Sequence, residues 1–404
     1  MRSAVARRWR RADLDGDGVP EIVVPRGEAV LVWHADGTLL WKAAASGRVW
    51  ASPVVADFTG DAKLEVAFAS REQVHMLDAA GAPVPGFPVS WQDELRSLAA
   101  GDLDGDGDLD LAAALANGSP EDVVNAWDGQ GQPVVGFPPN ATGSSGCDDK
   151  CYLAGCYDQN LAVGDLDGDG RADLVAPHDN AYASIHHGSG EAFDAAAIYT
   201  EIKKTPGVRY LHSLAESVQG HANDEATALQ AHFTNTAPAI ADIDGDGTRE
   251  VILLASVQNA AQDQREQGVA LWVVGHDAAR HPAFAEPVHF KGYRSGLWDY
   301  GDNIVAVTNS VSIADISGEP GLEIVFADFD GTIHAVSAAG ASRSARSSRR
   351  SVGSPAASRP LPRCESSRQG SRCCCPRVIT GITWSRRCAP GSRASCPSRT
   401  RSRS

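Results

Sequence analysis

Apolar residues in the first 340 positions fall into short runs and alternating stretches, and these indicate strands rather than helices. β-branched and apolar residues follow Glu21 and Glu323 in runs of a few residues, which is typical of strands. Apolar residues also alternate on both sides of Asp36-Gly37, and an Asp-Gly pair in that setting predicts a tight hairpin. The pattern therefore predicts an all-β protein built from hairpins.

A nine-residue acidic motif, Asp-x-Asp-Gly-Asp-Gly-x-x-Asp/Glu, interrupts the apolar pattern at regular places. Intact copies start at Asp13, Asp102, Asp165 and Asp242, and degraded copies start at Asp57 and Asp315. Carboxylates at positions 1, 3, 5 and 9 and a backbone carbonyl at position 7 can converge on one hard cation, since Ca²⁺ takes six to eight oxygen ligands. The sequence therefore predicts six Ca²⁺ loops, strong in the intact copies and weaker in the degraded pair.

Each loop has its own set of predicted calcium ligands. In chain order, the sets are Asp13, Asp15, Asp17, Val19 and Glu21; Asp57, Thr59, Asp61, Lys63 and Glu65; Asp102, Asp104, Asp106, Asp108 and Asp110; Asp165, Asp167, Asp169, Arg171 and Asp173; Asp242, Asp244, Asp246, Thr248 and Glu250; and Asp315, Ser317, Glu319 and Glu323. Residues at position 7 would contribute only their backbone carbonyl.

Two further positions of the motif predict its conformation. Position 4 is glycine in all six copies, which suits a turn that needs positive φ. Position 2 is always apolar and is predicted to anchor each loop to a core; these residues are Leu14, Phe58, Leu103, Leu166, Ile243 and Ile316. An EF-hand loop is the nearest alternative, but it closes with an acidic residue at position 12, where this chain has Val24, Phe68, Ala113, Ala176, Leu253 and Phe326.

The spacing of the loops predicts the architecture. Their first residues are separated by 44, 45, 63, 77 and 73 residues, and the two shortest intervals match one four-stranded propeller blade of about 40–50 residues. The longer intervals indicate blades with insertions near residues 140–160, 177–237 and 258–309.

With these loops the chain resembles the FG-GAP/VCBS repeat proteins, whose calcium-loop β-propellers include the head of integrin α subunits. The resemblance covers roughly Asp13 to Gly340. No literal Phe-Gly-Gly-Ala-Pro string is present, and two loops have weakened ligands at Thr59, Ser317 and Glu319. Family propellers usually close with seven blades, whereas six loops can be counted here. The resemblance implies a β-propeller of about six four-stranded blades whose ring is incomplete.

Composition divides the chain into segments of opposite charge. The net charge of −15 combines an acidic segment, residues 1–340, with a tail, residues 341–404, that has 15 arginines and one acidic residue. The tail lacks apolar periodicity and is predicted to be disordered. It is interpreted as a reading-frame artefact, with a basic nucleic-acid or membrane-surface arm as the alternative. Residues 1–12 form a basic leader without a signal-peptide core, interpreted as a truncated start.

Cysteines and histidines outside the loops offer weaker signals. Cys147, Cys151 and Cys156 lie close together, which suits one disulfide in an oxidising compartment or, as an alternative, a metal site. Six histidines fall between residues 177 and 237 without the spacing of any catalytic signature: His178, His186, His187, His212, His221 and His232. Trp272 lies in a strand-like run, where core packing accounts for it as well as ligand contact does.

Two classes of function remain. The first is a calcium-binding scaffold, extracellular, periplasmic or at the cell surface, that uses its insertions to bind a protein or a carbohydrate. The second is a calcium-dependent enzyme similar to the propeller polysaccharide lyases. The acidic propeller would repel an anionic polysaccharide or a nucleic acid, so binding without catalysis is the prediction. No apolar run is long enough to span a membrane.

Overall fold

The computed structural model describes residues 9–92, 94–116, 124–139, 160–177, 182–191, 193, 207–209, 230–232, 237–258, 269–275, 280–285, 288–290, 311–327 and 332–346. The chain divides into two units, Met1–Ser348 and Arg349–Ser404, and every described residue lies in the first. The described residues contain 24 strands, one single-turn 3₁₀ helix at Pro282–Phe284 and no α-helix. The all-β prediction is confirmed.

The strands form six antiparallel sheets that follow one another along the chain. The first contains β1 (Arg10–Ala12), β2 (Glu21–Pro25), β3 (Ala29–Trp33) and β4 (Leu39–Ala44). The second contains β5 (Val54–Ala56), β6 (Glu65–Ser70), β7 (Gln73–Leu77) and β8 (Val89–Ser90). The third contains β9 (Leu95–Gly101), β10 (Asp110–Leu115) and β11 (Val124–Trp127).

The remaining sheets repeat the same order. The fourth contains β12 (Ala162–Gly164), β13 (Asp173–Pro177), β14 (Tyr182–His186) and β15 (Gly207–Arg209). The fifth contains β16 (Gln230–His232), β17 (Ala239–Ala241), β18 (Glu250–Gln258), β19 (Val269–Val274) and β20 (Val288–Phe290). The sixth contains β21 (Ser312–Ala314), β22 (Glu323–Ala327), β23 (Thr332–Val336) and β24 (Ser342–Arg346).

Contacts between the sheets give the arrangement of a β-propeller. The strand that precedes each acidic loop contacts its counterpart in the next sheet: β1 contacts β5, β5 contacts β9, β9 contacts β12, β12 contacts β17 and β17 contacts β21. Each sheet is therefore one blade, with the loop-preceding strand on the inside. The propeller prediction is confirmed, with six blades among the described residues.

Five hydrophobic clusters hold consecutive blades together. One of them packs Val175 and Ile185 of the fourth blade against Leu253 and Trp272 of the fifth. The others lie between the first and second, second and third, third and fourth, and fifth and sixth blades. Strands of the middle blades are buried on both faces, as in β6, β10 and β19, which explains why their sequences are continuous apolar runs.

One core prediction is wrong for the sixth blade. The apolar residue at loop position 2 is buried in the first five loops, but Ile316 is 57% exposed. In the first five blades this residue packs in the cluster shared with the following blade, as Leu103 does with Leu174. No blade follows the sixth among the described residues, so Ile316 has no such surface to pack against.

The structure also moves some segment boundaries. Strand β1 lies within the predicted leader, and β24 lies within the predicted disordered tail. Residues 342–344 of β24 are exposed, and the strand pairs with β23 through its backbone, so it needs no apolar side chains. The predicted insertions at 177–237 and 258–309 contain blade strands as well, namely β14–β16, β19 and β20. Residues 347–404 lie outside the described part of the chain.

Candidate metal-binding loops

Each acidic loop joins the innermost strand of a blade to the next strand of that blade. The first loop runs from β1 to β2, and the sixth runs from β21 to β22. Neighbouring loops touch: the Arg249 side chain donates a hydrogen bond of 2.8 Å to the carbonyl oxygen of Asp165, and the Arg171 side chain lies over Gly105. Loops of neighbouring blades therefore lie side by side and form an acidic rim at one end of the blades.

The aspartate at position 1 organises the loop backbone. In the first loop, Asp13 accepts hydrogen bonds of 2.9 Å from the N–H groups of Gly16 and Gly18. The bond from position 4 recurs in all six loops. Position 4 has positive φ throughout, from +71° at Gly60 to +80° at Gly245, as the glycine predicted.

Positions 3, 5 and 7 form a second chain of contacts along the loop. Asp15 accepts from the N–H of Asp17 at 3.2 Å, and Asp17 accepts from the N–H of Val19 at 2.6 Å. The same two bonds occur in the loops that start at Asp102, Asp165 and Asp242. These bonds fix the carboxylates at positions 3 and 5 of the intact loops against the loop backbone and leave their other oxygens for a cation.

The acidic residue at position 9 has a role that the sequence did not predict. It is buried in every loop, from Glu21 at 0% to Glu323 at 5% exposure. One carboxylate oxygen accepts the N–H of position 2, as Asp173 does from Leu166 at 2.7 Å, and this bond occurs in all six loops. Position 9 therefore closes the loop and anchors position 2 through one carboxylate oxygen.

Electrostatics in the loops favour a positive charge at their centre. Burial raises the pKa of Asp173 to about 7; the Leu166 N–H opposes this, and the carboxylates of Asp167, Asp169 and Asp165 add to it. Burial likewise raises the pKa of Asp110 to about 6. A buried carboxylate that protonates this easily gains from a neighbouring cation, because opposite charge stabilises its ionised form.

The donor set fits a hard divalent cation. One oxygen from each of Asp13, Asp15 and Asp17 lies within 4.8 Å of the others, and the same holds for Asp57, Asp61 and Glu65. Ligands at 2.3–2.6 Å from a shared Ca²⁺ are at most about 5 Å apart. These acidic clusters could hold a metal ion through oxygen ligands.

The two degraded loops replace carboxylates with protein hydrogen-bond donors. In the second loop, Lys63 Nζ lies 2.9 Å from Asp61 Oδ2 and the Thr59 hydroxyl lies 3.4 Å from Glu65. In the sixth loop, the Ser317 hydroxyl donates to Glu323 at 2.5 Å. That hydrogen bond is the largest of the causes that lower the pKa of Glu323. The degraded loops thus satisfy part of their negative charge without a cation.

Three histidines lie beside the loops; the sequence reasoning missed His34 and His281 and named His187 only as one of six histidines in a predicted insertion. His34 Nδ1 lies 3.3 Å from Glu21 Oε1, His187 Nδ1 lies 3.3 Å from Asp167 Oδ2, and His281 Nε2 lies 3.1 Å from Asp244 Oδ2. A repeat alignment could have found two of them, because His34 and His187 directly follow the strands that pair with β2 and β13.

Other predicted candidates take different places. Trp272 is a core residue with 1% exposure, and His186 is buried in β14. Cys147, Cys151, Cys156, His178, His212 and His221 lie outside the described residues. Among the described residues, no helix has the length and apolar character needed to cross a membrane.

Residues 13–68 match the sequence profile of the FG-GAP-like repeat. This segment contains the first two acidic loops. The chain carries an FG-GAP-like repeat. The resemblance inferred from the motif is confirmed for this segment, and the later loops share its hydrogen bonds from position 4 to position 1 and from position 2 to position 9. Among curated proteins, none matches the chain.

Solved structures with a similar backbone have low sequence identity. The V. cholerae biofilm matrix protein Bap1 is 14% identical with a TM-score of 0.42; the alignment covers 84% of this chain and 58% of Bap1. The Neurospora crassa Pan2 WD40 domain is 11% identical, with 83% and 78% covered and a TM-score of 0.41. BamB from Moraxella catarrhalis is 11% identical, with 84% and 87% covered and a TM-score of 0.35. The TM-scores are low, so the propeller assignment rests on this chain's own sheets.

Proposed function

We propose that this protein is an extracellular or surface-exposed calcium-binding β-propeller scaffold that binds a protein or carbohydrate ligand without chemical turnover. The observation that carries the proposal is the repeated loop: in the four intact copies, backbone N–H groups donate to the carboxylates at positions 1, 3 and 5. Position 9 supplies a further buried carboxylate to each. Four such sites along one rim are best explained by a structural cation.

Calcium is proposed rather than magnesium because the loop donors are oxygens on an irregular turn. Ca²⁺ accepts irregular oxygen cages, whereas Mg²⁺ requires near-octahedral geometry and retains water. When bound, the ion would neutralise carboxylates such as Asp102, Asp104 and Asp106 and would fix the connection between the two strands that the loop joins. Extracellular modules of this affinity class fill where Ca²⁺ is abundant, with Kd of about 10⁻⁴–10⁻³ M, which supports residence outside the cytoplasm.

Calorimetric titration of the metal-free full chain with Ca²⁺ tests the cation proposal. We expect the number of bound Ca²⁺ ions to fall by about one in the variant Asp104→Asn, and Thr59→Val serves as the matched control at the same position of a degraded loop. Absence of any calcium binding to the wild-type chain would reject the proposal.

Ligand binding is tested separately, with a glycan array and the chain in calcium-containing buffer. Residues 291–310 join the fifth and sixth blades, and their replacement by a Gly/Ser segment of equal length leaves β19, β20 and β21 in place. We expect captured glycans to be lost while calcium-dependent melting persists. Cleavage of a uronate polymer by the wild-type chain would contradict the binding assignment and favour the lyase alternative.

A further inference from the structure

Three of the loops have a histidine nitrogen beside their carboxylates, and two of these histidines, His34 and His187, are equivalent in their blades. His34 and His187 occupy the same place in their blades, directly after the third strand. In each, the backbone N–H bonds the carbonyl four residues later, Thr38 O at 2.9 Å and Glu191 O at 2.8 Å. The strand register places them opposite position 9, since Trp33 pairs with Ile22 and His186 pairs with Leu174.

Other blades have different residues at this place, and their side chains serve the hairpin itself. Asp78 accepts hydrogen bonds from the N–H groups of Ala80 and Ala82, and Asp128 accepts from Gln130 and Gln132, all between 2.7 and 2.9 Å.

In the blades with histidine, another side chain supports the turn. Asp36 accepts from the Thr38 N–H at 2.8 Å, and Ser189 accepts from the Glu191 N–H at 3.4 Å. The imidazoles of His34 and His187 are therefore left to face the acidic loop.

The distances in the cluster around His187 fit adjacent ligands of one metal ion. His187 Nδ1 lies 3.3 Å from Asp167 Oδ2 and 3.5 Å from Asp173 Oδ1, and the ring stacks on Phe193 with centroids 3.8 Å apart. Charged N–H···O hydrogen bonds are usually about 2.7–2.9 Å. Adjacent ligands of a tetrahedral Zn²⁺, bound at 2.0–2.2 Å, are about 3.3–3.5 Å apart.

The first loop has a similar cluster. His34 Nδ1 lies 3.3 Å from Glu21 Oε1 and 3.9 Å from Asp15 Oδ2, so a small closure would bring the three groups to the same spacing. In both clusters the position 9 carboxylate is almost fully buried and fixed by a backbone N–H, while the histidine is about one-third exposed. The site is thus rigid on one side and reachable from solvent on the other.

We infer that the loops starting at Asp13 and Asp165 bind a borderline transition-metal dication, Zn²⁺ in the first instance, through Asp15, Glu21 and His34 and through Asp167, Asp173 and His187. Imidazole suits Zn²⁺, whereas Ca²⁺ prefers oxygen alone. The inference rests on the proposed function in that the same loops hold cations. It adds that two of the four intact loops select a different metal class.

His281 in the fifth blade provides an internal control. Its Nδ1 accepts the N–H of Ala283 at 3.2 Å, so a neutral ring carries its proton on Nε2 and donates it to Asp244. A metal on Nε2 would require the ring proton to sit on Nδ1, which could then no longer accept the N–H of Ala283. His281 therefore orients Asp244 and is not a zinc ligand.

The test is a zinc count and affinity on the metal-free full chain, with competition against a chromophoric chelator. We expect His34→Asn and His187→Asn each to lose one tightly bound Zn²⁺, the double variant to lose two, and His281→Asn to lose none. Affinity at each altered site should fall by more than about tenfold, since even outer-shell changes have effects of this size. With Co²⁺ as a spectroscopic probe, the ligand-field absorption should be strongest in the wild type and His281→Asn, weaker in each of the other single variants and weakest in the double variant.

Calcium titrations of the same variants separate the two proposals. If the double variant keeps the wild-type zinc count and Co²⁺ spectrum, the zinc inference is overturned, even where calcium binding is intact. If zinc is lost as expected but the wild-type chain binds no calcium, the zinc sites stand and the calcium proposal fails. Calcium-dependent melting of the double variant shows that it is folded.

Discussion

The intact and degraded loops share a backbone but differ in how they balance negative charge. In the intact fourth loop, burial raises the pKa of Asp173 to about 7 and the surrounding carboxylates add to it. In the degraded sixth loop, the Ser317 hydroxyl lowers the pKa of Glu323 at the same position. The carboxylate that closes the loop is retained in both. All six loops therefore keep the hydrogen bond from the position 2 N–H to the position 9 carboxylate. Whether a loop also requires a cation depends on the protein hydrogen-bond donors near its carboxylates.

The largest effect is expected from removing calcium altogether. The intact loops hold unbalanced carboxylates, so a chelator should lower the melting temperature of the full chain. A ligand that binds only the native state adds about 2.7 kcal/mol per site at a hundredfold excess over Kd. Differential scanning calorimetry with and without chelator measures this, and added Mg²⁺ should not restore the loss. A melting temperature that is the same with and without chelator would contradict the proposal that the intact loops require a cation.

The next effect concerns position 2, which both degraded loops retain as an apolar residue. Phe58 is fully buried, whereas Ile316 is 57% exposed. Phe58→Ala should lower the free energy of unfolding by about 3–5 kcal/mol, the usual cost of such a core cavity. Ile316→Ala should change it by about 0.5 kcal/mol or less. Urea denaturation compares the two, and equal losses would show that the sixth loop is anchored like the second.

At position 3, the loop types are compared by the same substitution. Asp104→Ala removes a carboxylate from an intact loop, and Thr59→Ala removes a hydroxyl from a degraded one. In calcium buffer we expect Asp104→Ala to cost about 2.7 kcal/mol, the contribution of one site, and Thr59→Ala to cost less than about 1 kcal/mol. In buffer that contains a chelator, the difference between the two losses of unfolding free energy should become smaller. If this difference is the same in both buffers, Asp104 stabilises the fold through contacts within the protein and not through Ca²⁺.

Much of this architecture was readable from the sequence because its determinants are local. The loops, the strands after them and the glycine turns each depend on residues within one short segment. The closing bond from position 9 to position 2 was within reach but was not foreseen, because the acid was assigned wholly to the cation. The predicted anchoring of Ile316 failed because burial at position 2 depends on the next blade, and the sequence around Asp315 does not show whether one follows.

The histidine clusters could not be predicted from local sequence. His34 meets Glu21, and His187 meets Asp173, only through the pairing register of two strands. By sequence alone His187 was one of six histidines in an apparent insertion. The structure shows that this stretch begins with β14, a regular strand of the fourth blade. Contacts that depend on strand register can be identified only once the three-dimensional structure is known.

The smallest effect isolates the donor that replaces a cation in the sixth loop. Ser317→Ala removes the 2.5 Å hydrogen bond to Glu323 and should raise the pKa of that carboxyl group. Because the native pKa lies below its ordinary value of 4.5, the ionised group stabilises the fold above that pH, and this contribution fades as pH falls through the native pKa.

We therefore expect Ser317→Ala to cost about 1 kcal/mol at pH 7 in calcium-free buffer and less in acid. Urea denaturation of the variant and wild type across this pH range gives the difference, and Ser337→Ala, in the neighbouring hairpin, is the matched control. A loss that stays constant with pH would mean that Ser317 supports the loop sterically. The pH-dependent loss would show that a single hydroxyl carries part of the role proposed for the cation in the intact loops.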